Sequence, residues 1–374
     1  MKFTVSSTKL SSHLQAINRV ISTKSTLPIL ECFLLNLKGK VLTLTTSDLE
    51  TTLITSLELD KAEEDGMVAV SAKILLDSLR ELPEQPLAFE INNDNLAMTI
   101  KYETGTYNFI GQPGDEYPKM PELGAEKNSL TIDAYTLNSG IAKSIFATAD
   151  DELRPVMNGI YFDITTESIT LVATDAHKLV RVKSNTTKGS ANAAFILAKK
   201  PATLLKNILP KESGEVSIAF DDKNAIITLS NYQMICRQVE GRYPNYNGVI
   251  PQNNPHKLII DRLAFMNALK RVSVFSNQAS NLIKLQLSEN EIHITAQDID
   301  FSVSAEEKIS CQYTGDLMSI GFKSTFLIDI LNNIHSSDVV LELADPSRAG
   351  LILPFENEEN EELLMLLMPM LLND

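Results

Sequence analysis

The chain has 374 residues, a net charge of −15, and is 44% apolar and 22% charged. That length exceeds one ordinary core and points to two or three domains of globular composition. The sum of charges argues against a surface that is basic throughout; Cys32, Cys236 and Cys311 lie too far apart for zinc-ligand spacing; and the longest apolar run, LLMLLMPMLL at 363–372, is about half of a membrane span. MKFTVSS has no apolar segment behind its lysine, and isolated cysteines suit a reducing compartment, so a cytoplasmic location is expected.

In chain order, residues 8–22 place apolar side chains at Leu10, Leu14, Ile17 and Ile21, the spacing of a helix with one buried stripe. Residues 42–59, LTLTTSDLETTLITSLEL, read as two alternating strands joined at Asp48. A helix follows at 71–82, then strands at 87–91, 96–101 and 106–110, then the Pro/Gly stretch GQPGDEYPKMP. The same order begins again. A helix is expected at 135–149, an Asp-joined strand pair at 169–183 (ITLVATDAHKLVRVK), a helix at 197–209, and a second Pro/Gly stretch, EGRYPNYNGVIP. A third pass gives a helix at 261–276, the strand pair IHITAQDIDFSVSAEEK at 292–308, and a helix at 321–335. Asp48, Asp175 and Asp298 are 127 and 123 residues apart. Leu10, Leu137 and Leu263 hold the same period, as do Lys73, Lys199 and Lys323. A repeat of this size is a whole domain rather than a solenoid unit. Three domains of one α+β fold are expected, at 1–125, 129–250 and 254–374, each with two helices packed on antiparallel sheets.

The charges are segregated. The six helical segments hold twelve basic residues against four acidic ones, one of which, Asp261, suits a helix N-cap. Glu forms helices as readily as Lys, yet it is nearly absent from these segments. The pattern points to helical faces that meet a polyanion through its phosphates, without base-reading motifs.

Within LVATDAHKL, Asp175 and His177 stand two apart, as in a hydrolase or a metal site. No nucleophile motif, HExxH, phosphate loop or dinucleotide fingerprint accompanies them. The aspartate recurs in all three repeats and the histidine does not. A turn-forming Asp is therefore expected three times over, with no catalysis and no cofactor.

MKFTV, TLPIL (26–30), TSDLE (46–50), NGIYFD (158–163), ATDAHKL (173–179), GRYPNY (241–246) and MPM (368–370) together resemble the bacterial DNA polymerase III β subunits, the replicative sliding clamps. The resemblance spans the whole chain. It implies the DNA-clamp fold, a head-to-tail homodimer ring around duplex DNA, and helices facing the hole. The DNA-facing residues it implies are Lys24, Lys73, Arg80, Lys143, Arg154, Lys199, Lys200, Lys206, Lys270 and Lys323. It implies a ring seam between Tyr107 and Phe109 of one copy and Val274 and Phe275 of the next. It also implies a pocket for short peptide motifs of the replicative polymerase, the clamp loader and other clamp-binding proteins. That pocket would be formed by Met157, Thr174, His177, Leu179, Pro244, Val249, Leu366, Met368, Pro369 and Met370. Pro369 cannot donate to a strand ladder, so 368–370 should leave the sheet. This chain departs from the family in having Gly248 and Leu371–Leu372 where arginines are common, and an acidic ADDELRPV loop. Ala176 replaces a usual glycine, so its turn should need no positive φ. The competing reading is a cytoplasmic peptide-binding scaffold that never encircles DNA.

Overall fold

The structure, a computed structural model, describes residues 1–22 and 27–372. The described residues include six α-helices: α1 (Ser7–Ile17), α2 (Ala72–Arg80), α3 (Ala134–Ser144), α4 (Lys199–Ile208), α5 (Arg262–Ser273) and α6 (Ser324–Asn332). Four lie within the predicted segments, and α1 and α3 begin one residue before theirs. The last begins three residues late, because Met318–Lys323 is a strand. Helix α1 starts where Ser6 Oγ accepts the Lys9 N–H, and α5 where Asp261 Oδ1 accepts the Ala264 N–H at 2.6 Å. Each helix buries one stripe, such as Leu10, Leu14 and Ile17 of α1, all 0% exposed. Burial of that kind contributes about 1.5–3 kcal/mol per side chain. No helix is long and apolar enough to cross a membrane, and among the described residues no group of three His, Cys, Asp or Glu side chains could hold a metal.

The chain divides into two compact units, residues 1–135 with 203–238, and residues 136–202 with 239–374. Every strand pairing is antiparallel. The first unit holds a five-stranded sheet in the order Lys61–Glu64, Lys2–Ser6, Pro86–Ile91, Ala97–Tyr102, Gly105–Ile110. Its other sheet has nine strands, in the order Gln112–Pro113, Gly66–Ser71, Cys32–Lys38, Val41–Ser47, Thr51–Glu58, Tyr232–Arg237, Asn224–Thr228, Glu215–Phe220, Asn128–Asp133. The second unit repeats the plan. Its nine-stranded sheet runs Ala193–Ala198, Gly159–Ile164, Ile169–Thr174, Lys178–Ser184, Glu361–Leu367, Gly350–Pro354, Asp338–Leu343, His256–Asp261, Gln312–Thr314. Its four-stranded sheet runs Val303–Ser310, Glu291–Asp298, Leu282–Ser288, Met318–Lys323. The units cut through the middle repeat because each large sheet is built from two successive repeats.

The three aspartates make the same pair of backbone bonds. Asp48 Oδ1 accepts the N–H groups of Glu50 (3.0 Å) and Thr51 (2.7 Å); Asp175 Oδ1 accepts those of His177 and Lys178 (both 2.9 Å); Asp298 Oδ1 accepts those of Asp300 (3.0 Å) and Phe301 (3.3 Å). The expectation for Ala176 fails. Its φ is +74°, matching Leu49 at +77° in the first turn; the third turn, two residues longer, places its left-handed residue at Ser302 (φ +54°) instead of directly after the Asp. A non-glycine residue there is strained by about 1–2 kcal/mol. Ala176→Gly is expected to stabilise the fold by about 1 kcal/mol, read as a higher urea midpoint with unchanged slope.

Candidate functional site

The middle Asp turn is also the centre of a side-chain cluster. Thr174 Oγ1 donates to the Lys178 carbonyl at 2.7 Å and accepts the Ala176 N–H at 3.1 Å, which locks the turn. Lys178 is buried, its ammonium 2.5 Å from Asp175 Oδ2 and 4.2 Å from the centre of the Phe326 ring. Lys323 stands over the same ring at 4.7 Å, and the exposed His177 imidazole stacks near it at 6.1 Å. Phe326 and its cations were not read from the sequence, since nothing local marks a phenylalanine of α6 as the neighbour of a turn some 150 residues earlier. Asp175 spends one oxygen on backbone N–H groups and the other on Lys178, so it makes no hydrolytic dyad with His177.

The tail completes the arrangement. Strand Glu361–Leu367 pairs with Lys178–Ser184, setting Leu179 opposite Leu366. Both are nearly fully buried, at 3% and 4%, in one cluster with Val172, Tyr243, Tyr246 and Leu364. Leu179 and Leu366 are therefore floor rather than open lining. Tyr243 stacks on Tyr161 at 4.7 Å, and the Tyr246 hydroxyl donates to Asp163 at 2.7 Å. Pro244, between the two tyrosines, is half-buried, as is Met157, whose carbonyl accepts the Ala149 N–H at 2.8 Å. Val249 and Met368 are exposed, at 59% and 43%.

The strand ends at Leu367, as Pro369 requires, but the tail is not loose. The Met368 N–H donates to the His177 carbonyl at 2.9 Å, and the Met370 N–H to the Gly321 carbonyl at 2.8 Å. A Cβ on residue 321 would lie 2.7 Å from the Met370 carbonyl oxygen, so only glycine seats the tail there. Residues 368–370 thus leave the sheet as expected, and the tail is clipped at two points.

The predicted DNA-facing set divides. Lys73, Arg80, Lys200, Lys206 and Lys270 are exposed, with Arg80 3.7 Å from Asp77. Lys199 lies 2.5 Å from Asp150, and Arg154 Nε donates to Asp151 at 2.8 Å. Lys143 does not belong to the set. It is 4% exposed, its ammonium held by Glu361 at 2.5 Å and Glu358 at 2.8 Å. Lys323 ends the strand Met318–Lys323 at the head of α6, and its ammonium sits over Phe326, beside His177. Lys24 lies outside the described residues. Two further helical cations are also engaged: Arg262 donates to the carbonyls of Ser336 and Leu331, near the end of α6, and Arg271 pairs with Glu307.

The predicted seam residues are at the surface. Val274 is 77% exposed and Phe275 39%, directly after α5, so they are not core. Tyr107 and Phe109 are half-buried on Gly105–Ile110, the edge strand of the five-stranded sheet.

Three copies of two helices on shared antiparallel sheets, with a clipped apolar tail and no catalytic dyad, define a clamp of the DNA-replication class. Family models of the DNA polymerase III beta subunit match in sequence order: the N-terminal domain at 1–121, the central domain at 131–245 and the C-terminal domain at 247–370. The chain belongs to the DNA polymerase III beta subunit family, the sliding clamps, non-catalytic processivity factors of replication. It is 28% identical over 366 residues to the beta sliding clamp of Pseudomonas putida KT2440, covering 98% of this chain and 99% of that one. It is 27% identical over 370 residues to that of Haemophilus influenzae Rd, covering 99% and 100%. Among solved structures, a Pseudomonas aeruginosa DnaN sliding clamp bound to griselimycin superposes with a TM-score of 0.93 at 26% identity. A Bartonella birtlesii clamp, also bound to griselimycin, gives 0.91 at 28%; both cover 100% of each chain.

Proposed function

We propose that two chains join head to tail into a ring around duplex DNA, slide on it by nonspecific phosphate contacts, and tether partners through the cluster around His177. The observation that carries this reading is a repeated joint. In the first unit the strand after Asp48 pairs with the last strand of the second repeat, Thr51 opposite Cys236 and Leu53 opposite Met234. In the second unit the strand after Asp175 pairs with the last strand of the third repeat, Lys178 opposite Leu367 and Val180 opposite Met365. One additional bond closes each joint: the Arg237 N–H donates to the Glu50 carbonyl at 2.8 Å, and the Met368 N–H to the His177 carbonyl at 2.9 Å. The rule leaves two strands over. They are Val303–Ser310, after Asp298, and Gly105–Ile110, the last long strand of the first repeat, followed only by the two-residue Gln112–Pro113; each is paired on one side alone. Joined between two copies, the five- and four-stranded sheets would make nine, the number in each intact large sheet. Bare edges seek such partners, and a head-to-tail contact that closes makes a ring.

A ring reconciles a net charge of −15 with DNA. Encirclement supplies retention, so the contacts from Lys73, Arg80, Lys200, Lys206 and Lys270, with Lys199 and Arg154 at their loops, can stay weak and mobile. Partner peptides would enter over the Leu179–Leu366 floor, between Met368, Val249 and Phe326. Exposed methionine and valine give an adaptable lining suited to the replicative polymerase, the clamp loader and other motif-bearing proteins in the cytoplasm. His177→Ala is expected to weaken binding of such a peptide about tenfold in a fluorescence-anisotropy titration, with the urea midpoint unchanged. For the ring, the protein loaded by its ATP-driven loader should remain on a nicked DNA circle and run off once the circle is cut. Equal loss from both forms would leave the peptide scaffold as the better reading.

A further inference from the structure

The seam can be specified residue by residue, resting on the ring reading above. Phe109 stands where Cys236 and Leu367 stand, since the three pair with Met98, Ala225 and Gly350 of the preceding strand in their own repeats. The third Asp turn is two residues longer than its counterparts. Asp298 pairs with Val303 and Gln297 with Ser304, whereas Ser47 pairs with Thr52 and Thr174 with Leu179. Val303 thus takes the place of Thr51 and Lys178. Carried across the seam, the register of the two intact joints would set Val303 opposite Phe109 of the second copy and Ala305 opposite Tyr107, with the Ile110 N–H donating to the Ser302 carbonyl.

The two added residues fall in the segment that carries Ile299 and Phe301, 79% and 77% exposed, and the register brings them against Ile110, 84% exposed. Three large apolar side chains this bare, at one expected contact, are costly to leave in water. Most charges beside them are already used within the chain. Glu307 pairs with Arg271 and Lys308 lies 3.1 Å from Glu291, while the exposed Glu306 would meet a strand that offers it no cation. Gly105–Ile110 has no charged residue at all, and Asp300 of the turn accepts from Asn277 at 3.4 Å. We infer that the ring closes through an apolar clasp, Ile299 and Phe301 of one copy over Ile110 of the next, rather than through ion pairs, and that closure is insensitive to salt.

Sedimentation equilibrium of the full chain at about 0.05 M and about 1 M NaCl decides the matter, because ion pairs are screened over that range. The expected result is a dimer whose Kd changes less than about threefold between the two salts. Ile299→Ala with Phe301→Ala should weaken it about 100-fold or more at both, since two large side chains lose their burial. Both residues are exposed, so the variant folds, which circular dichroism would confirm. A wild-type Kd that rises tenfold at high salt, or a double variant that dimerises as the wild type does, would overturn the clasp and leave the ring standing. A wild-type chain that stays monomeric at micromolar concentration and both salts would overturn the ring itself, and the clasp with it.

Discussion

Replacing Lys143 with alanine lowers the stability of the fold by about 3–5 kcal/mol. The lysine reads in sequence as one more cation on a helix bound for DNA. In the structure its ammonium is buried and bound to Glu361 and Glu358, and the other oxygen of Glu361 accepts from Ser139 at 2.7 Å. Removing the cation leaves the Glu361 carboxylate, 12% exposed, without its counter-charge. Glu361 is the first residue of the strand that leads to the tail. Urea denaturation followed by far-ultraviolet circular dichroism measures the loss. Lys143→Met with Glu361→Leu should recover most of it, because an apolar pair of similar volume replaces a buried ion pair at little cost. A Lys143→Ala protein of wild-type stability and reduced DNA retention would return the lysine to the DNA-facing group.

Asp175→Ala is the second large effect, and its size is expected to differ from that of its two counterparts. Asp48→Ala and Asp298→Ala each remove a carboxylate that holds two backbone N–H groups, a loss of about 1–2 kcal/mol. Asp175→Ala removes that and also takes the one hydrogen-bonded carboxylate from the buried Lys178 ammonium, leaving it the Phe326 ring and the more distant charge of Asp329, so about 3–5 kcal/mol is expected. The three variants compared by urea midpoint test the ranking. Equal losses would mean that Lys178 finds water once its partner is gone.

The repeat was legible because it rests on chemistry that is local in sequence. An Asp that turns its own chain, a stripe of leucines at helical spacing and a proline that ends a ladder each need only a few neighbouring residues. Six helices and three Asp turns follow from those. What escaped was set at long range or by the backbone. Lys143 meets Glu361 218 residues away, and no pattern around either announces the other. Lys323 does stand at the start of a helix, but nothing near it in sequence announces that its ammonium lies over the Phe326 ring. Ala176 was misjudged because glycine is the usual mark of a left-handed residue and alanine carries none; the demand came from the short turn it shares in kind with Leu49. The tail was half legible. Pro369 ended the strand as expected, but the glycine that receives Met370 stands 49 residues upstream.

The shared sheets also set a timetable for the nascent chain. Strand Thr51–Glu58 emerges from the ribosome well before its neighbour Tyr232–Arg237, with 173 residues, 59–231, in between. At roughly 5–20 residues per second, that edge stays open for on the order of 10–35 s. Strand Lys178–Ser184 waits a similar time for Glu361–Leu367. During those intervals a bare edge could capture a strand from a neighbouring chain on the same message. The first of the two waiting strands, TTLITSLE, is half threonine and serine, a composition that keeps an unpaired edge wetted until its own partner arrives.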